Sequence, residues 1–321
     1  MIRSGQPMWG SLTSEMDVVD GAARRFFAGA FPAWRSTSRT VMAAYRDGVG
    51  LIKVPGGQAN PGTIGTAFDL WVQLQATARP DLGVASLGAI LAGGDLHDAY
   101  RELGSLLGTE HVPQPLPGLW HGPSAALSER DLLRLCWAAA LFVEVYRTGL
   151  LMDGSPLAGR APRRGEDLLG LATPAALGEL SDLAELARQR LLPRLHALAE
   201  DGPTWLSPTF AGSRPMAADA DLIVGHTLVE IKTSLGTKTT RGRSASLSGL
   251  LLYQLLGYVL HDHDDAHQLT HLALYQARYG HLALWRIDRL LHELADQPVD
   301  LPTLRARWAD LLAGGEQVVT G

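Results

Sequence analysis

Hydrophobic and polar residues follow two textures along this chain, and the change falls near Gly202. Upstream, apolar residues recur at helical spacing. DGAARRFFAGAF and SRTVMAAYRDG predict two helices separated by a turn at Pro32, and a third is expected from Thr63, with Ile64, Phe68, Trp71, Val72 and Leu74 as its apolar positions. A short extended piece is expected at 50–54 and a loop from Pro55 to Gly62. From Asp81 to Glu200 the pattern is mostly helical, with breaks at Gly93-Gly94, 112–124 and 153–166. The strongest helix there is SERDLLRLCWAAALFVEVYRTGLL. Ser128 can cap its start, and apolar positions cover most of its circumference, so it belongs at the centre of a helical layer. A second long helix is expected through about 180–199.

Downstream of Gly202 the segments shorten. TWLSPTF, DADLIVGHTLVEIK, QLTHLALYQAR and HLALWRI read as strands, with one apolar helix, SLSGLLLYQLLGYVL, between them. RLLHELAD and TLRARWADLLA read as amphipathic helices. The last third therefore predicts βββ-α-ββ, a mixed sheet with a helix packed on it. The expected fold class is α/β: a mixed central sheet with flanking helices, joined to a large, mainly helical region. The expected divisions are an N-terminal helical segment (1–54), a first core helix (55–80), a helical insertion (81–201), a core of sheet and helix (202–300) and a C-terminal helix (301–321).

The stretch from Asp219 to Lys232 carries the most chemistry. A glycine at the first of two central positions, Gly225-His226, suits a type II′ hairpin turn. Pairing across that turn sets Asp221 opposite Glu230 and Asp219 opposite Lys232, all four on one face. Ala220, Leu222, Val224, Val229 and Ile231 take the other face. Like charges directly opposite destabilise a sheet, so Asp221 and Glu230 require either full solvation or a cation between them. Ile223 and Leu228 fall on the charged face as well, which points to partial cover. Charges under cover are paired or bind a metal. Two carboxylates on adjacent strands suit a hard cation such as Mg²⁺, with the Ile231 carbonyl as a further oxygen. Lys232, on the same face, could orient a water or offset charge on a phosphate.

An Asp, a short strand and then Glu-Ile-Lys resemble the PD-(D/E)xK nuclease superfamily. Two further segments resemble its RecB-type branch. Gln254 and Tyr258 match a Q-x(3)-Y motif, whose residues stack on one helix face. Gly65-Thr-Ala-Phe-Asp69 is similar to a G-x(3)-H helix motif, with Asp69 where that branch often has His. The resemblance covers about 60–75 and 205–287 and implies a restriction-endonuclease-like core. It implies a nuclease dependent on Mg²⁺ (or Mn²⁺) acting on DNA, in DNA repair or host defence. Asp221 and Glu230 would hold the metal, joined by Asp69. Lys232, Gln254 and Tyr258 would complete the catalytic set, and Asp219 would stand behind it. A basic loop from Thr233 to Ser244 places Lys238, Arg241 and Arg243 where they could clamp phosphates. The alternative is a catalytically inactive member of the same fold that binds nucleic acid or protein.

Composition narrows the choices. The net charge of -5 leaves nucleic-acid contact to a local basic surface. The single cysteine, Cys136, sits in an apolar stretch and cannot support a cysteine-based zinc or iron–sulfur site. The N-terminal residues lack the apolar core of a signal peptide, and no apolar run reaches the roughly 20 residues that span a bilayer, so a soluble cytoplasmic protein is expected. Protein partners and homo-oligomers are not readable. HDHDDAH at 261–267 is the main rival metal site, but its place just past a helix end suits a polar turn better than a ligand set. Ser207 and Ser248 lack a nucleophile-elbow setting.

Overall fold

The computed structural model describes residues 9–77, 82–107, 116, 127–159, 162, 164–240 and 242–314. In chain order come α1 (Leu12–Asp17), α2 (Ala22–Ala30), α3 (Trp34–Val49), α4 (Pro61–Ala76), α5 (Gly83–Ala92), α6 (Gly94–Leu107), α7 (Glu129–Thr148), α8 (Gly165–Leu169), α9 (Pro174–Arg190) and α10 (Leu192–Ala199). Then follow β1 (Thr204–Leu206), β2 (Leu222–Val224), β3 (Thr227–Lys232), β4 (Thr237–Thr239), β5 (Gly242–Ser244), α11 (Gly249–His261), β6 (His271–Gln276), β7 (His281–Arg286), α12 (Ile287–Ala295) and α13 (Leu301–Leu312).

Five strands form one mixed sheet in the order β1-β2-β3-β6-β7. All neighbours are antiparallel except β3 and β6. That parallel pair follows from connectivity, because α11 carries the chain back to the starting edge before β6 begins. Helices cover both faces. Leu222, Val224, Val229 and Ile231 pack with Ala273 and Tyr275 against α4, α7 and α9. Ile223 and Leu228 pack with Leu272 and Leu274 against α11, and this second core takes in α2, α12 and α13. The helical region upstream of Gly202 thus builds one layer, while α1–α3 join the other.

Local chemistry accounts for the elements that aim the site. Asn60 caps α4 by accepting from the N–H groups of Gly62 and Thr63, and Pro61 opens the helix. Ser128 caps α7 through the Asp131 N–H, and left-handed Gly149 ends it. The β2–β3 turn has the predicted form: Gly225 has φ +58, and His226 is not among the residues with positive φ. Its ladder runs Leu222↔Val229, Ile223↔Leu228 and Val224↔Thr227, the predicted register.

Some expectations change. Residues 50–54 form no strand. The helix expected through 180–199 is two helices, α9 and α10, with Pro193 in the first turn of α10; proline lacks the N–H that a continuous helix needs. The basic loop after Lys232 contains a two-stranded ribbon, β4–β5. Ala220 lies outside β2, so strand alternation does not govern it, and it joins the core on the α11 side.

Candidate active site

Three segments bring carboxylates together beside the central strand of the sheet. Glu230 lies in β3 and is 2% exposed. Asp221 immediately precedes β2, one step beyond the Leu222↔Val229 pair, which sets it across from Glu230. Its Oδ2 accepts from the Ile231 N–H at 2.6 Å, so Ile231 meets the site through its N–H. Asp69 enters from α4 and feels the charges of both Asp221 and Glu230. Lys232 donates from Nζ to Glu230 Oε1. From α11, Gln254 Nε2 donates to the same Glu230 oxygen at 3.1 Å and to the Tyr258 hydroxyl at 2.6 Å. The structure thus brings together Asp69, Asp221, Glu230, Lys232, Gln254 and Tyr258.

Electrostatics show how uncomfortable this gathering is. Burial, then the charge of Asp221, pushes the Glu230 carboxyl up to about 8, against the pull of Lys232. Burial also raises Asp221, although Lys232 and the Ile231 N–H oppose it. Asp69 rises well above the usual carboxylate range through burial and its two acidic neighbours. Burial works against the Lys232 ammonium, yet Glu230 and Asp221 outweigh it and hold its proton more tightly than usual. Burial and Glu230 likewise keep the Tyr258 phenol neutral. Among the described residues, Asp69 Oδ1 and Glu230 Oε2 are enclosed with no hydrogen-bond donor. Buried acceptors of this kind are costly, and a cation between them would satisfy both.

The donor set fits a hard divalent cation in kind, because every donor is a carboxylate oxygen. No group of three His, Cys, Asp or Glu among the described residues is already set as a metal cage. Mg²⁺ ordinarily keeps several waters and takes one or two carboxylates, so the fit rests on Asp221 and Glu230 with Asp69 beside them.

Other expected residues fall less centrally. Asp219 is exposed and pairs by backbone with Thr209, so the predicted Asp219–Lys232 pairing is not part of the ladder. Its charge still reaches Asp221 and Glu230. Lys238 and Arg243 stand directly opposite each other on the β4–β5 ribbon. Two cations so placed repel each other and leave the ribbon positively charged. Arg241 lies outside the described residues.

The 261–267 cluster is a turn with buried ends: His261, Asp262 and His267 are buried, while 264–266 are exposed. Asp262 pairs with Arg305 of α13 at 2.9 Å, and the Arg305 Nε donates to the Val259 carbonyl. His261 is fully buried against Trp308, and burial lowers its ring to about 4.

Several site residues carried no motif. Gln73, one turn beyond Asp69, donates from Nε2 to Asp69 Oδ2 at 3.0 Å and to Ser207 Oγ at 3.1 Å. Its signal was an amide four residues beyond an aspartate, one turn on along the same helix face. Ser207 sits at φ +46 and donates its N–H to the Asp221 carbonyl at 2.9 Å. Arg147, at the end of α7, bonds to the Thr66 hydroxyl at 3.2 Å, and its charge reaches Asp69 and Asp221. Ser248 caps α11.

No family model, curated protein or solved structure matches the chain. Among the described residues, no helix is long and apolar enough to cross a membrane.

Proposed function

We propose that this protein is a metal-dependent nuclease of the PD-(D/E)xK type, similar to its RecB-type branch, hydrolysing phosphodiester bonds in DNA. One observation carries the reading. Carboxylates from α4, from the residue before β2 and from β3 gather beside a lysine, and Asp69 and Glu230 each keep an enclosed oxygen with no donor. A site used only for structure gains nothing from that arrangement, because each enclosed acceptor without a donor costs about 1–3 kcal/mol. The same cost weighs against an inactive binding module. The order of elements, α4, then βββ, α11 and β6, supports a restriction-endonuclease-like core.

Asp221 and Glu230, with Asp69, would hold a Mg²⁺ or Mn²⁺ ion, which when bound polarises phosphoryl oxygens and acidifies water. Lys232 keeps its proton, so its part is to orient the attacking water and offset charge growing on the phosphate, rather than to remove a proton. Gln254 fixes Glu230 and is itself fixed by Tyr258. Gln73 fixes Asp69. Lys238, Arg243 and Arg147 offer positive charge for the flanking backbone on either side.

The test is a cleavage panel. Linear and circular DNA, single- and double-stranded, is incubated with Mg²⁺, Mn²⁺ or EDTA and with Asp221→Ala and Lys232→Ala. Cleavage that needs the cation and falls at least a hundredfold in both variants is expected. Cleavage surviving both substitutions would place the chemistry elsewhere, and no metal-dependent cleavage of any DNA would refute the activity.

A further inference from the structure

α3 carries a row of cations that nothing in the fold uses. About 100° separates successive helical residues, so Arg35, Arg39 and Arg46 fall within about 40° of one another and span about 16 Å of helix. All three are exposed, and among the described residues none makes an ion pair or a side-chain hydrogen bond. Exposed arginines elsewhere are neutralised on their own helix, Arg101 by Asp98 and Arg289 by Glu293. The one acid of α3, Asp47, lies about 100° from Arg46, off the row. The row is turned towards the site. Trp34 stacks on Tyr253 of α11 at 3.7 Å, and a Cβ at Gly249 would lie 3.7 Å from Met42, so α3 passes the first half of α11 in the opposite sense. Met42 falls within about 60° of every arginine in the row, whereas Thr37 and Gly48, on the other flank, meet Glu293 and His281. Ser248 and Leu250, on either side of Gly249, line the cleft that opens at Lys232 and Gln254.

A row of unpaired guanidinium groups suits a regular polyanion, because arginine meets phosphate through a planar fork of donors. On one DNA strand a charge recurs about every 3.4 Å of axis, so the row matches the rise of about five phosphates. An acidic peptide offers no such fixed spacing. With a net charge of -5 the chain as a whole repels polyanions, so an unpaired basic face decides where one can lie. We propose that α3 is a backbone-contacting surface: Arg35, Arg39 and Arg46 hold phosphates of the DNA that extends beyond the scissile bond, past the start of α11. This rests on the nuclease reading and adds to it a binding surface outside the catalytic segments, on a helix that no motif marks. Gly236 lines the same cleft, and its carbonyl accepts from Arg243 at 3.1 Å, so the β4–β5 ribbon and α3 are two cationic surfaces bordering one opening.

The test compares the wild type with the triple variant Arg35→Gln, Arg39→Gln and Arg46→Gln. A control, Arg101→Gln, Arg130→Gln and Arg194→Gln, removes as much charge from exposed positions on α6, α7 and α10. Thermal melts check folding; if the triple variant melts early, the single Arg39→Gln is read in its place. Fluorescence anisotropy with labelled DNA, single-stranded and duplex, is run in Ca²⁺ over a range of salt. On whichever DNA the wild type binds more tightly, the α3 variant is expected to bind about tenfold more weakly or worse. The slope of log affinity against log salt should fall in magnitude by about 2–3 in the triple variant, or about 1 in the single one. The control should bind as the wild type does. Cleavage of bis(p-nitrophenyl) phosphate with Mn²⁺, a substrate too small to reach α3, should be equal in all the proteins. An unchanged slope in the folded α3 variant, or an equal loss in the control, overturns the surface and leaves the nuclease reading intact. Loss of small-substrate cleavage in the α3 variant also overturns it, because the arginines would then act at the catalytic centre. A wild type that neither binds nor cleaves DNA defeats both.

Discussion

Glu230→Gln separates the cost of the carboxylate cluster from its use. In the protein Glu230 is raised from its ordinary 4.5 to about 8, by burial first and Asp221 second. The native state therefore holds a proton that the unfolded chain releases between these values. Stability is greatest below about 4.5 and falls as pH rises towards 8. At about 1.4 kcal/mol per pH unit, that displacement corresponds to roughly 5 kcal/mol, an upper bound because Asp69 and Asp221 share the same protons. Glutamine mimics the neutral acid and cannot ionise. Lys232 loses one partner in the variant but keeps Asp221, so the net gain at pH 8.5 is about 1–3 kcal/mol. For a chain of this size that is a rise of roughly 1.5–4.5 °C in Tm. Without added metal, thermal melts of wild type and variant at pH 5 and pH 8.5 give the answer. The two should nearly coincide at pH 5, with the variant the more stable at pH 8.5. An equal gap at both values, or a more stable wild type at pH 8.5, would refute the claim that Glu230 is held against its own charge.

Gln254→Leu removes the donor that fixes Glu230 and should lower kcat about tenfold or more with KM near the wild-type value, measured by steady-state cleavage. A change confined to KM would instead make Gln254 a substrate contact only. Arg305→Ala strands Asp262 in the 261–267 turn and should cost about 3–5 kcal/mol in denaturant melts, while the surviving folded protein cleaves normally. Zinc-dependent activity lost in this variant would revive that turn as a metal site. Gly225→Ala puts a Cβ 2.5 Å from the Leu198 carbonyl at φ +58 and should cost about 2 kcal/mol or more, with loss of cleavage as the hairpin shifts. An unchanged Tm would mean that the turn does not fix the register.

The hairpin was legible because two local rules agree: the turn glycine fixes the register, and alternation places Ile223 and Leu228 beside the charges, a sign of cover that their full burial bears out. Gln254 and Tyr258 were legible for the same reason, since a lone amide in an apolar helix needs polar company, which Glu230 provides. What escaped depends on contacts between distant segments. Gln73 meets Ser207 across 134 positions, and Arg147 reaches Thr66 across 81. No periodicity encodes such meetings. Alternation puts Ala220 on the wrong face because β2 starts at Leu222, three residues after the Asp219 start that it assumes. The β4–β5 ribbon looked like a loop because its strands are three residues each and polar, leaving no apolar alternation to read.

Titration calorimetry of Mg²⁺ into the protein tests the central claim most directly. At pH 7.5, in two buffers of different ionisation enthalpy, one cation should bind per chain with release of protons, because Glu230 and its neighbours must ionise to receive it. Asp221→Ala should abolish the binding. No binding, or binding that is unchanged in Asp221→Ala, would contradict the account.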